Sequence, residues 1–198
     1  DVVVLNTCTV REQAEDKVLS RIGEIRSEAG PGGQAPLIAV AGCLAQQDGA
    51  VMFRRARGVD VVVGTMAERR LPLLVDEALR TRSRQIDINP YDDVSFPLGM
   101  ARRMDPVKAY VTIIEGCNDY CAFCVVPHTR GHERMRPKGE ILDEVQEAVQ
   151  NGRTEIHLLG QIVNHYRAPD DPDCDFAELL AAVDAVPGIR RVRFASPH

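Results

Sequence analysis

Three cysteines lie within eight residues of the chain, at Cys117, Cys121 and Cys124. Thiolates at this Cys-x3-Cys-x2-Cys spacing can hold one corner of a metal cluster, and cysteine ligands favour zinc or the iron of an iron–sulfur cluster. Three such ligands leave one iron open to a substrate, whereas a fourth would make a closed electron carrier. No fourth cysteine lies nearby, which argues against a ferredoxin-like carrier. A structural zinc site completed by His128, in an RNA-binding module, is an alternative.

Cys8 and Cys43 form a second group of interest. Each follows a short apolar run, at 2–6 and 37–41, that predicts a strand, and each precedes a predicted helix. If the two strands are parallel neighbours, both thiols emerge at the same edge of a sheet, where a helix N-terminus favours thiolate over thiol. Two thiolates would make an incomplete cluster site that needs a third ligand from elsewhere. The alternative is that each is simply a buried apolar residue.

Strands and helices alternate along the sequence, which predicts an α/β fold with parallel sheets and crossover helices. Apolar, β-branched runs predict strands at 2–6, 37–41, 59–63, 109–114, 155–159 and 192–195. Apolar residues at helical spacing predict helices between them, including 44–57 and 71–80. The segment 116–136 is predicted to be a long loop after a strand end, which is the edge where parallel βα barrels place their active sites.

The alternation is interrupted around residues 81–106, where prolines at 90, 97 and 106 break any regular element. We therefore predict an N-terminal domain over 1–84, a linker over 85–106 and a second domain over 107–198. The first residue is not methionine, and a new strand begins just before the last residue. We therefore expect residues to be missing at both ends.

The composition is typical of a globular protein, with 44% hydrophobic and 27% charged residues among 198. It excludes a mostly disordered chain, and no apolar run approaches the roughly 18 residues of a membrane span. The net charge of −5 excludes a basic field over the whole protein. A local basic group, Arg130, Arg134 and Arg136, could still contact RNA phosphates. Six unevenly spaced cysteines indicate a reducing compartment, so we expect a cytoplasmic protein. We also expect a monomer without membrane contacts.

The cysteine triplet resembles the signature of the radical S-adenosylmethionine (SAM) enzymes. In that family the open iron of a 4Fe-4S cluster chelates the amino and carboxylate groups of SAM, and one electron splits SAM to give a 5'-deoxyadenosyl radical. The resemblance implies that Cys117, Cys121 and Cys124 are the cluster ligands. It places Phe123 beside the SAM adenine, and Gly160 and Gln161 near the SAM amino group. The three arginines could alternatively meet the SAM carboxylate.

Further motifs resemble the radical SAM methylthiotransferase family over nearly the whole chain. They lie at 6–12 (NTCTVRE), 41–46 (AGCLAQ), 114–117 (IEGC), 125–127 (VVP), 129–131 (TRG), 158–161 (LLGQ) and 163–164 (VN). There is one local departure. Ile162 replaces the first Asn of the family's Gly-Gln-Asn-Val-Asn, so this chain lacks that polar side chain.

This second resemblance implies a methylthiotransferase domain followed by a partial radical SAM βα barrel. It implies an auxiliary 4Fe-4S cluster on Cys8 and Cys43, with a third ligand outside this sequence. The Arg11-Glu12 pair favours the branch that methylthiolates C2 of N6-isopentenyladenosine beside the tRNA anticodon, as does the Leu-Leu-Gly-Gln run. Related branches act on threonylcarbamoyladenosine in tRNA or on an aspartate of a ribosomal protein. The implied partners are the tRNA anticodon stem-loop and an electron donor such as flavodoxin or ferredoxin.

Overall fold

A computed structural model describes residues 1–9, 12–28, 35–89 and 103–198. The chain divides into two compact units. The first is formed by Asp1–Val94 with Cys121–Arg130, and the second by Ser95–Tyr120 with Gly131–His198. Among the described residues, no helix has the length and apolar character that a membrane span requires.

The first unit contains a four-stranded sheet in the order β1-β2-β3-β4, with every neighbouring pair parallel. Its strands are β1 (Val2–Thr7), β2 (Leu37–Gly42), β3 (Val61–Val63) and β4 (Gln85–Asp87). The central strands β2 and β3 are apolar and buried at every position. Such continuous apolar runs are typical of parallel strands that are covered on both faces.

Helices cover both faces of this sheet. The helices of the first unit are α1 (Glu12–Glu28), α2 (Cys43–Asp48), α3 (Met52–Arg55), α4 (Leu71–Thr81) and α5 (Val126–Arg130). On one face, Ile22 of α1 and Leu44 of α2 pack with Val40 of the sheet. On the other face, Ala78 of α4 packs with Ala39. The unit therefore has three layers, and the predicted parallel βα arrangement is confirmed.

Two expectations for this region differ from the structure. The predicted helix 44–57 is two helices, because Gly49 takes a left-handed φ of 51° that ends α2. The predicted linker begins with β4, which pairs with β3, so the sheet extends past residue 84. The polar sequence of β4 carries no strand signal of its own. Most of the remaining linker, 90–102, lies outside the described residues, and the domain boundaries stay a prediction.

The second unit contains a parallel sheet in the order β5-β8-β9 and a small antiparallel pair, β6-β7. Its elements are β5 (Lys108–Thr112), β6 (Ile114–Glu115), β7 (Arg134–Met135), α6 (Lys138–Gln150), β8 (Glu155–Leu159), α7 (Phe176–Asp184) and β9 (Arg191–Phe194). The predicted strand 109–114 is split at Ile113. Its N–H donates to Leu159 of β8, whereas its carbonyl accepts from the Arg136 N–H, so the chain changes partners there.

The two faces of the β5-β8-β9 sheet differ in chemistry. One face packs against α6 and α7 through a buried cluster that includes Val111, Ile156 and Leu179. On β8, Glu155 alternates with these apolar positions, and its carboxylate contacts His157 (2.5 Å) and Arg191 (2.8 Å). The hydrogen bond with His157, together with the arginine contacts, holds the pKa of Glu155 below its ordinary value.

Candidate functional site

The first part of the cysteine loop is held tightly by neighbouring backbone. Gly116 has a φ of 76°, and a Cβ at this position would overlap the carbonyls of Gly131 and His132. The next residue, Cys117, is buried, and its N–H donates to the Gly131 carbonyl at 3.1 Å. Glycine is required at 116 for both its φ and its close approach to backbone. The backbone of Cys117 is thus positioned within the second unit.

The second part of the loop belongs to the first unit. Cys121 is exposed and Cys124 is half-buried, and the Cys124 N–H donates to the Cys121 carbonyl at 2.9 Å. Helix α5 then packs against α2, the helix that begins at Cys43. The hydroxyl of Thr65, which follows β3, donates to the buried Thr129 carbonyl at 2.5 Å. These contacts fix the segment after Cys124 on the first unit.

Cys8 and Cys43 follow neighbouring strands, as the sequence predicts. In the β1–β2 register Thr7 lies opposite Gly42, so each cysteine comes directly after one member of that pair. Cys8 is exposed and Cys43 is buried. The Thr7 hydroxyl donates to the Ala41 carbonyl at 2.7 Å, which locks the two strand ends together. The topological prediction is confirmed, and the ligand role stays a prediction.

The residues suggested for SAM contacts have different environments. Phe123 is 93% exposed, so its ring face is open to a ligand. Gly160 follows β8, and a Cβ there would be 3.2 Å from both Ile114 Cβ and Val163 Cγ1. Close packing inside the second unit therefore favours glycine at this position. Gln161 is half-buried and stays a candidate contact.

Ile162, where the family usually has Asn, is only 7% exposed. The position is therefore buried, and an apolar side chain suits it. An Asn at this position would place a polar side chain in the interior, and Ile162 places an apolar one there instead.

The three arginines near the cysteines divide by burial. Arg130 is half-buried and makes no ion pair with any described residue. Arg134 forms an ion pair with Glu115 at 2.9 Å. The Arg136 side chain is 3% exposed, and its guanidinium contacts the Glu144 carboxylate and the Thr112 carbonyl. A phosphate could reach Arg136 only if these buried contacts broke, so we leave it out of the proposed RNA contacts.

Two known protein families match different parts of the chain. Residues 1–64 match the model of a family described as "Uncharacterized protein family UPF0004". Residues 111–197 match the radical SAM superfamily. The second match covers the part of the chain that carries Cys117, Cys121 and Cys124. The resemblance to the methylthiotransferase branch is supported by relatives from three genera.

These relatives are named tRNA-2-methylthio-N(6)-dimethylallyladenosine synthase. The chain is 45% identical to the protein of Ectopseudomonas mendocina and 44% identical to that of Stutzerimonas stutzeri, over 100% of this chain and 44% of each relative. It is also 44% identical to the protein of Neisseria meningitidis, covering 45% of it. The chain thus spans less than half the length of the curated relatives it matches.

One similar solved structure is the radical SAM methyltransferase TsrM from Kitasatospora setae, determined with cobalamin and a 4Fe-4S cluster bound. The TM-score is 0.59 at 19% identity, over 100% of this chain and 49% of that chain. At this identity the likeness shows the fold alone. It confirms the α/β architecture.

The donor set of the cysteine loop fits an iron–sulfur cluster by its chemistry. Three thiols lie in eight residues, and two of them, Cys121 and Cys124, reach the surface. Within the described ranges, no three His, Cys, Asp or Glu side chains are close enough together to hold a metal ion. The zinc arrangement with His128 is therefore not formed there either.

A polar group around Cys117 is not evident from the sequence. Asn118 contacts residues 132 and 133, and Glu133 Oε1 lies 3.0 Å from His165 Nδ1. These partners are 14 to 32 positions apart in sequence. Only the close approach of the loop to residues 131–133 identifies them, and no periodicity or motif rule would.

Proposed function

We propose that this chain is part of a tRNA-modifying enzyme that methylthiolates C2 of N6-dimethylallyladenosine (isopentenyladenosine) beside the anticodon. The observation that carries the proposal is the identity of 44–45% with synthases of that name over the whole of this chain. The proposed enzyme acts in the cytoplasm and takes electrons from a donor such as flavodoxin or ferredoxin. The cysteine loop and the radical SAM match support the chemistry.

Cys117, Cys121 and Cys124 would hold a 4Fe-4S cluster that binds SAM, and Cys8 and Cys43 would hold part of an auxiliary cluster. When bound, the cluster and SAM supply a one-electron route to a C–H bond that side-chain acids and bases cannot activate. The protein's contribution is binding, orientation and the exclusion of water.

Two local contacts support this arrangement of the cysteines. The tight backbone at Gly116 fixes the direction in which Cys117 leaves its strand. The Thr65–Thr129 hydrogen bond holds the segment after Cys124 on the unit that carries Cys43. These contacts orient cysteine backbones before any metal binds, which reduces the entropy lost when the ligands are ordered.

The substrate side of the site is proposed from exposure and charge. The open ring of Phe123 can stack on the adenine of SAM, and Arg130 can contact a phosphate of the tRNA. An anticodon loop offers unpaired bases, so the cost of turning one base out of its stack is small.

The test begins with anaerobic purification and analysis for iron, sulfide and zinc. The protein is then incubated with SAM, a reductant and tRNA that carries N6-dimethylallyladenosine without a methylthio group at C2. We expect about four irons for the Cys117–Cys124 loop, 5'-deoxyadenosine from SAM, and methylthio-adenosine in digested tRNA by mass spectrometry. A triple Cys→Ala variant of the loop should lose SAM cleavage, whereas Cys174→Ala, a buried cysteine elsewhere, should retain it.

Colourless protein with one zinc would overturn the proposal in favour of a zinc module. Methylthiolation of threonylcarbamoyladenosine or of a ribosomal protein would replace the substrate only.

A further inference from the structure

Asn118, the residue after the first cysteine, binds a backbone segment that is distant in sequence. Its Oδ1 accepts a hydrogen bond from the Glu133 N–H at 3.1 Å and lies 3.2 Å from His132 Nδ1. One acceptor atom thus serves two groups of the segment that leads into β7. All of these residues belong to the second unit.

The Asn118 contact is one of three between two short stretches of chain. Gly116 lies against the His132 carbonyl, the Cys117 N–H donates to Gly131, and Asn118 accepts from Glu133. The first two contacts involve backbone or the lack of a side chain. Asn118 supplies a side-chain contact that can be removed without changing a candidate metal ligand.

The partner of Asn118 is itself anchored. The Glu133 side chain is 9% exposed, and its Oε1 lies 3.0 Å from His165 Nδ1. His165 ends the 3-10 turn Val163–His165, which follows Gln161. The Asn118 hydrogen bond therefore connects the first cysteine with the turn after β8, where a SAM contact is proposed.

We infer that Asn118 is a positioning residue for Cys117. Its carbonyl oxygen holds the loop against residues 131–133 so that the Cys117 thiolate keeps one direction when a cluster is bound. Groups that orient a ligand in this way typically change metal affinity by about 10–100-fold when they are removed. The inference rests on the cluster role proposed for Cys117.

The test compares Asn118→Leu, which removes the acceptor at similar size, with Asn118→Asp, which keeps it. The control is Asn151→Leu, because Asn151 also bonds backbone through its side chain (2.8 Å to the Glu147 carbonyl) but lies at the end of α6. In the metal-free full chain, hydrogen exchange at the Glu133 amide should be about fivefold faster in Asn118→Leu, the effect of losing one ordinary hydrogen bond. Exchange in Asn118→Asp should be close to wild type.

In the reconstituted full chain, Asn118→Leu should lose iron to a chelator about tenfold faster than wild type. It should also show an altered electron paramagnetic resonance signal on SAM addition. Asn118→Asp should restore both properties, and Asn151→Leu should change neither. Wild-type exchange and iron retention in Asn118→Leu, while Cys117→Ala loses iron, would overturn this inference alone. Full iron retention in Cys117→Ala would overturn the cluster role and this inference together.

Discussion

Replacing Arg136 with Met should destabilise the second unit strongly. The Arg136 side chain is 3% exposed and lies between the carboxylates of Glu144 and Glu140, and it also donates to the Thr112 carbonyl. Met keeps the apolar stem of Arg but removes the charge. Among the described residues, Glu144 would keep its contact with Arg103, in surroundings where its side chain is 12% exposed.

The expected loss follows from this burial. Removing one partner of a buried ion pair typically costs about 3–5 kcal/mol, because the other charge is left without full compensation. For a unit of about 100 residues, about 4 °C of melting temperature is lost per kcal/mol. We therefore expect Arg136→Met to lower the melting temperature by about 12–20 °C.

Thermal unfolding by circular dichroism measures this change, and filter binding of tRNA at several salt concentrations measures RNA contact. Arg130→Met is the matched control. Since Arg130 makes no ion pair with a described residue, its replacement should change stability by no more than about 0.5 kcal/mol. Wild-type stability of Arg136→Met, combined with a salt slope reduced by about one, would show that Arg136 faces RNA and would refute the reasoning.

Three further outcomes are expected. Cys8→Ala and Cys43→Ala together should leave SAM cleavage to 5'-deoxyadenosine intact but abolish methylthio product in tRNA; normal product would mean that the two cysteines are only packed residues. Arg130→Ala should reduce the salt slope of tRNA binding by about one, and more than Arg134→Ala, whose guanidinium is already paired. Glu155 has a lowered pKa, so its stabilising contribution is present above its ordinary pKa of 4.5 and is lost as the pH falls through the folded-state value. Urea unfolding at about pH 6 and pH 3 should therefore show a smaller pH effect in Glu155→Gln than in wild type, and equal effects would contradict the proposed cause.

The strands that position the candidate site were predictable because each carries a strong local signal. The buried run of β2 and the short apolar run of β1 indicate parallel neighbours, and the structure pairs them with Thr7 opposite Gly42. Because the two strands are parallel, Cys8 and Cys43 lie at the same end of the sheet. Regular elements and the residues that directly follow them are what a sequence pattern encodes well.

What could not be predicted depends on contacts between residues that are distant in sequence. Arg136 is a charged residue in a loop-like sequence, and its burial is evident only once α6 brings Glu144 beside it. The strand β4 forms because β3 offers an edge, and not because its own residues favour a strand. Asn118 reads as a spacer within the cysteine motif until residues 131–133 fold against it.

Gly160 shows the opposite problem, because the family resemblance places it near SAM whereas its packing alone favours glycine. A glycine at a strand end is consistent with a ligand close to the backbone, but here Ile114 and Val163 occupy the space beside it. Packing therefore favours glycine at this position whether or not SAM binds nearby. A glycine in this position therefore does not by itself identify a cofactor site.

The division of the chain into units has a consequence for the order in which the protein folds during synthesis. The first unit consists of Asp1–Val94 and Cys121–Arg130, so its last piece is translated about 36 residues after Val94. At about 5–20 residues per second, the ribosome needs about 2–7 s to add that stretch. During this interval α2 is without the helix α5 that packs against it. The part of the Cys43 helix that α5 covers in the finished unit is therefore uncovered for seconds in the nascent chain.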